Sequence, residues 1–184
     1  MNFRDLGAQY GKYESEIDAA IKEVLKNTNF IGGKEVNSLE KRLAEYVGVK
    51  HCITCANGTD ALSLIMMAWE IKEGDAVFVP DFTFFSTGEI VSHCGATPVF
   101  VDVDPNTFNI DPAKLETAIK KVIAEGKLTP KAIIPVDLFG LPANYPEIDK
   151  LAKKYDIKVL EDGAQGFGGS IDGKKACSFG DAAT

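Results

Sequence analysis

The stretch Ala56-Asn57-Gly58-Thr59-Asp60-Ala61-Leu62 sets a glycine and a hydroxyl where a strand hands over to a helix. The first amides of a helix lack intrahelical partners and point outward, and the helix dipole adds partial positive charge there. A phosphate fits such a turn, with Gly58 allowing close approach and the Thr59 hydroxyl donating. A plain strand–helix turn with Thr59 as its N-cap would use the same residues. A second candidate is Asp162, with Gln165 three residues on, where a strand ending at Leu160 gives way to a loop. Ligands of open α/β sheets bind at the carboxyl ends of strands. An Asp in that place can pair with a cation or simply cap the loop. The third is Phe82-Thr83-Phe84-Phe85, in which one ring can serve as a stacking platform for a flat ligand. At least one of these three phenylalanines is expected in the core.

Other patterns lack the spacing their chemistry needs. Gly166-Phe167-Gly168-Gly169 is followed by no helix, so it is not a dinucleotide fingerprint, and Gly32-Gly33-Lys34 lacks the Walker A spacing. The two histidines, His51 and His93, are not spaced with carboxylates as a metal-ligand set. Cys52 and Cys55 form a C-x-x-C without a second pair, and strand geometry would turn them to opposite faces. Cys52, Cys55, Cys94 and Cys177 are therefore expected as buried free thiols. Gly173-Lys174-Lys175 reads as a solvated hairpin tip.

The elements that would position these residues follow from periodicity. Ile17, Ile21 and Leu25 mark one helix, ended by Asn27-Thr28-Asn29. Val36, Leu39, Leu43 and Val47 mark a second, closed by Gly48. Strands are then predicted at residues 51–55, 76–79, 97–101, 132–136 and 158–160. Helices are predicted at 61–69, 85–93, 112–124 and 145–155, the third opened by Asp111 as a cap with Pro112 at the first helical position. A further strand starts near the last residues. Such alternation predicts an α/β fold, a mainly parallel sheet flanked by helices on both faces.

Composition narrows the function. The 184 residues carry 27 acidic and 20 basic side chains, a formal net charge of −7. That balance argues against wrapping nucleic acid, which needs a basic face. No stretch approaches the roughly 20 apolar residues of a membrane span. Residues 1–13 hold no apolar run fit for a signal peptide. A cytosolic location without membrane association is the expectation.

Taken in order, these segments resemble the DegT/DnrJ/EryC1/StrS family of sugar aminotransferases along essentially the whole chain. The resemblance is carried by residues 29–36 (NFIGGKEV), 57–62 (NGTDAL), Gly74-Asp75, Val79-Pro80, Thr83-Phe84 and 95–104 (GATPVFVDVD). It continues through 132–136 (AIIPV), 161–165 (EDGAQ) and 178–181 (SFGD). It implies the large domain of the aspartate-aminotransferase type, fold type I, binding pyridoxal 5'-phosphate or pyridoxamine 5'-phosphate. Gly58, Thr59 and the backbone of Asp60 are then implied as the phosphate cradle, and Phe84 as the ring stacked on the cofactor. Asp162 would lie under the pyridine nitrogen as the catalytic carboxylate and Gln165 near the phenolic oxygen, while Phe30 and Ile31 would border the sugar site. No metal is implied.

The implied reaction moves an amino group from an amino acid, glutamate, to a keto-sugar nucleotide, in a homodimer that makes amino sugars for polysaccharides. Residues 1–184 would comprise the N-terminal helices and the cofactor-binding domain. The Schiff-base lysine and a small C-terminal domain would lie beyond Thr184, leaving this stretch inactive by itself. The wording of residues 55–62 looks most like the branch that aminates C3 of UDP-2-acetamido-3-keto-hexuronic acids. Two departures from the resemblance stand out: Gly163 where the family usually has alanine, and Asp137 where it often has His, Ser or another residue, adding negative charge near the sugar site. A sugar dehydratase, with histidine in place of the lysine, and a non-catalytic cofactor-binding regulator remain open alternatives.

Overall fold

The computed structural model describes residues 5–184. Residues 1–4, part of the segment read above as lacking an apolar run, lie outside it. Two helices lead: α1 (Leu6–Asn27), ended by Thr28 at φ 54°, and α2 (Lys34–Val47), closed by Gly48 at φ 88°, whose N–H donates to the Ala44 carbonyl. Then follow α3 (Gly58–Ala68), β1 (Asp75–Pro80), α4 (Ser86–His93), β2 (Thr97–Val101), α5 (Pro112–Glu125) and β3 (Thr129–Ile133). After a 3₁₀ turn (Leu138–Gly140) come α6 (Tyr145–Tyr155), β4 (Lys158–Glu161), β5 (Ser170–Ile171), β6 (Lys174–Lys175) and β7 (Ala182–Ala183).

The main sheet has the order β2-β1-β3-β4-β7, and every neighbouring pair is parallel. The chain goes from β1 outward to β2, then returns to the other side of β1 as β3. This reversal makes a crevice at the carboxyl ends of β1 and β3, the switch point at which such sheets bind ligands. Strand alternation sorts the core into two layers. Phe78, Ile133 and Val159 pack with Leu115 and Ile119 of α5 and Ile148 of α6. Val77, Val79, Ile134 and Leu160 pack on the other face with Leu62 and Met66 of α3 and Ile90 of α4. Each such side chain, fully buried, contributes about 1.5–3 kcal/mol.

Helix α1 buries none of its residues, and Leu6, Tyr10, Tyr13, Ile17, Ile21 and Leu25 stand exposed along it. That spacing puts an apolar stripe on one face of the helix, which no described residue covers.

Some expectations shift. Residues 51–55 are not a strand; Thr54 donates its N–H and its hydroxyl to Glu40 Oε1 of α2, and among the described residues no strand pairs with the segment. The cysteines are free, but Cys55 is exposed and the other three are half-buried rather than buried. The strand expected at 132–136 runs three residues earlier, and Val136 keeps only an isolated bridge to Asp162. The β5–β6 hairpin forms at Asp172-Gly173, both in left-handed backbone. Its Lys175 is not simply solvated: its ammonium lies over the Tyr46 ring and donates to the Tyr46 carbonyl.

Helix α5 starts as its sequence dictates: Asp111 Oδ1 accepts from the N–H groups of Ala113 (2.8 Å) and Lys114 (3.2 Å), with proline in the first turn. Asp111→Ala should therefore lower the stability of the full-length protein by about 0.5–2 kcal/mol. Asp111→Ser should restore most of the loss. Urea denaturation checks both, through the midpoint at unchanged slope.

Candidate active site

Helix α3 begins at a turn that leaves two amides unused. Asn57 is its N-cap, not Thr59: Asn57 Oδ1 accepts from the Asp60 N–H at 2.9 Å, and Asn57 Nδ2 donates to Asp60 Oδ2 at 3.0 Å. The Asp60 amide, expected in the cradle, is thus already engaged. The amides of Gly58 and Thr59, at the first two helical positions, have no intrahelical acceptor. Nothing lies within 4 Å of where a Gly58 Cβ would be, so the turn is open beside Gly58.

The carboxyl ends of β1, β3 and β4 face this turn across a cavity of about 290 Å³, lined among others by Gly58, Thr59, Thr83, Phe84, Asp162 and Gln165. Phe84 is 68% exposed. Phe82 and Phe85 are exposed too, so none of the three phenylalanines joins the core; Phe82 instead packs on Phe108 and Phe139, with ring centroids 5.8 and 6.5 Å away. Gln165 Oε1 accepts from the Phe139 N–H at 2.9 Å, which fixes the amide and leaves its NH₂ as the free donor.

Asp162 is 5% exposed. Its Oδ2 accepts from the Thr87 hydroxyl at 2.9 Å, and Thr87 Oγ1 lies 3.1 Å from Thr83 Oγ1. Because Thr87 spends its proton on Asp162, Thr83 is the donor in that second contact. Oδ1 receives only a long 3.4 Å contact from the Ala164 N–H. Burial pushes the Asp162 carboxyl above the usual carboxylate range, the Thr87 and Ala164 donors pull it back, and nearby Asp137 pushes it up again. Among the described residues no Lys, Arg or His forms an ion pair with it. The site therefore presents a desolvated carboxylate open to a cation from elsewhere.

The sequence missed the two threonines, whose i, i+4 spacing at the start of α4 was the available signal. It also missed the burial of Glu161 and Asp137. Asp137 is 0% exposed and held by the Tyr145 hydroxyl (2.7 Å) and the Ala143 N–H (3.1 Å), so it does not offer its charge to a substrate. Phe30 and Ile31, 65% and 91% exposed between α1 and α2, do not line this cavity. A larger hollow of about 510 Å³ opens among Lys131, Lys158, Lys174 and Asp181. It sits toward the amino ends of β3 and β4, the wrong end of the sheet for a ligand of this fold.

The smaller cavity suits a flat ligand with an anion at one end and a cation at the other. The molecule is thus a ligand-binding α/β domain of the doubly wound kind. More particularly, the chain belongs to the DegT/DnrJ/EryC1/StrS aminotransferase family, whose model matches residues 12–184. It is 48% identical over 181 residues to a UDP-2-acetamido-2-deoxy-3-oxo-D-glucuronate aminotransferase of Pseudomonas aeruginosa, covering 97% of this chain and 48% of that protein. A crystal structure of a family aminotransferase from Brucella abortus superposes with a TM-score of 0.98 at 50% identity, over 100% of this chain and 49% of that one. A GDP-4-keto-6-deoxy-D-mannose-3-dehydratase from E. coli, solved with bound hydrated PLP, is 32% identical with a TM-score of 0.80, over 88% and 41% of the two chains. The chain spans about half the length of the curated relatives it matches.

The departure at Gly163 has a local cause. A Cβ there would fall 2.6 Å from Cys177 Sγ, and Cys177 itself adopts a left-handed backbone, φ 66°. Gly163→Ala should destabilise the full-length protein by about 1–3 kcal/mol through this overlap. Cys177→Gly suits the backbone and clears the space. A double-mutant cycle by urea denaturation should give a favourable coupling of at least about 0.5 kcal/mol; strict additivity would mean the thiol is not the obstacle.

Proposed function

We propose that this chain is the cofactor-holding part of a pyridoxal-phosphate sugar-nucleotide aminotransferase. The observation that carries the reading is the buried Asp162, with no ion-pairing cation among the described residues, set across one cavity from the free amides of α3. Its residues fit the cofactor. The Gly58 and Thr59 amides and the Thr59 hydroxyl would hold its phosphate, Phe84 would cover the ring, Gln165 would donate to the phenolic oxygen, and Asp162 would keep a proton on the ring nitrogen. Bound there, the cofactor supplies the electron sink that amino transfer needs. Thr87 orients the Asp162 carboxylate, and the sheet beneath excludes water from it.

The amino donor is an amino acid, glutamate, and the acceptor a keto-sugar nucleotide, in amino-sugar biosynthesis for polysaccharide. The likeness to the P. aeruginosa enzyme favours a UDP-linked 3-keto-hexuronate. The exposed stripe on α1 supports a homodimer, and the enzyme is proposed to work in the cytoplasm. Phe30 and Ile31, both exposed, remain proposed as the sugar-site border. The likeness to the E. coli dehydratase favours a second reading, dehydration of a sugar nucleotide on the same scaffold. Incubating the full-length protein with glutamate and a UDP-linked 3-keto-hexuronate and weighing the sugar product separates them, since only the transaminase leaves the nitrogen of glutamate on the sugar, whereas the dehydratase gives a product that has lost water and carries no new amino group.

Asp162→Asn keeps the shape of the site but supplies no charge. An opposite charge in contact moves a pKa by roughly 1–3 units, about 1.4–4 kcal/mol between protonation states. The variant of the full-length enzyme should retain cofactor, while its single-turnover half-reaction with glutamate slows by about one to three powers of ten. An unchanged rate would reject the role.

Thr87→Val has a signed consequence for pH. The Thr87 hydroxyl favours the ionised form of Asp162, so its loss raises that carboxyl further. Asp162 then ionises only at higher pH, and the acid limb of the kcat/KM profile should move upward. A stationary acid limb with a merely lower plateau would show that Asp162 does not set it.

A further inference from the structure

Beneath Asp162 lie two more carboxylates that amino transfer does not use. Asp137 and Glu161 are both 0% exposed, at the ends of neighbouring strands tied by hydrogen bonds from the Asp137 N–H to the Asp162 carbonyl (3.0 Å) and from the Asp162 N–H to the Pro135 carbonyl (2.9 Å). The two oxygens of Glu161 accept from the N–H groups of Cys177 and Phe179. Asp137 Oδ1 accepts from Tyr145 and Ala143, but Asp137 Oδ2, fully buried, has no partner. Backbone covers it: a Cβ at Gly166 would stand 2.5 Å from that oxygen. A buried carboxylate oxygen without a donor is costly.

The groups facing the pair are few. Tyr145 from α6 already gives its proton to Asp137, and Asp162 accepts from Thr87. Cys177, from the turn before β7, directs its thiol to the Gly163 carbonyl at 4.0 Å, with Cys52 beyond it. Among the described residues no Lys, Arg or His forms an ion pair with Asp137, Glu161 or Asp162. The parallel bridge between Val136 and Asp162 sets Asp137, one residue after the first, and Glu161, one residue before the second, on the same face of adjacent strand ends, opposite to Asp162.

We propose that Glu161 is protonated and donates to Asp137 Oδ2, so that the two carboxyls share one proton and carry a single negative charge. The missing donor is thereby supplied from within the pair. Burial pushes Glu161 up to about 8 and Asp137 upward as well, the same direction as the geometry requires. The consequence, which rests on the function proposed above, is a positioning role. Three adjacent carboxylates carry two charges instead of three, which relieves the repulsion on Asp162 and leaves it ionised for a cationic ring.

The test needs no cofactor and no activity, so its failure is separate from failure of the proposed function. In the full-length apo-protein labelled with ¹³C at glutamate carboxyls, NMR should show one glutamate still protonated at neutral pH and ionising near the upper value given above. Glu161→Gln should remove that signal. Asp137→Asn, whose NH₂ can donate to Glu161 in place of accepting from it, should weaken proton binding at Glu161 at least roughly tenfold. A wild-type spectrum with every glutamate ionised at neutral pH overturns the proposal, even if neither variant folds. A Glu161 titration unmoved in Asp137→Asn overturns it too.

Discussion

The carboxylate of Asp162 is held against the sheet, nearly out of water, and among the described residues no cation pairs with it. A charge in that state is unfavourable unless donors and a counter-charge reach it. Much of the sheet end answers to this constraint. Thr83, in the loop before α4, and Thr87, in its first turn, form a hydroxyl chain that ends on Oδ2. The loop after β4 turns back so that Ala164 offers an amide. The cavity in front of the carboxylate is the space open to a counter-charge.

The switch point explains why these groups meet. Residues 58, 84 and 162 are far apart in sequence, and only the return of the chain across β1 brings the loops after β1, β3 and β4 together. The helix-end amides of α3 come from a different part of the chain again. Each contributes a simple local feature: a turn with two spare N–H groups, an exposed ring, a strand-end carboxylate. The site is chemically specific because the sheet order fixes them around one volume.

Elements with strong local signals were legible in the sequence. The Asp111-Pro112 start, the helix at Tyr145–Tyr155 and the strand at Thr97–Val101 stand where composition and capping put them. What failed depended on contacts that no local pattern encodes. Residues 51–55 have β-like composition, but a strand needs a neighbour, and Glu40 takes up Thr54 instead. The frame of β3 was set by its pairing with β1, including a register shift at Ala76 and Val77. At the site, Asp162, Gly58, Thr59, Phe84 and Gln165 do gather around one cavity. The burial of Asp137 was invisible, because it follows from Gly166 crossing above it and Tyr145 reaching in from α6.

The central claim is that this cavity holds pyridoxal phosphate in one orientation. A crystal structure of the full-length protein grown with that cofactor tests it most directly. The account predicts phosphate oxygens on the amides of Gly58 and Thr59, the ring nitrogen against Asp162 and the Phe84 ring on the face of the cofactor. Cofactor bound in the lysine-lined hollow instead, or with its ring nitrogen turned away from Asp162, would contradict it.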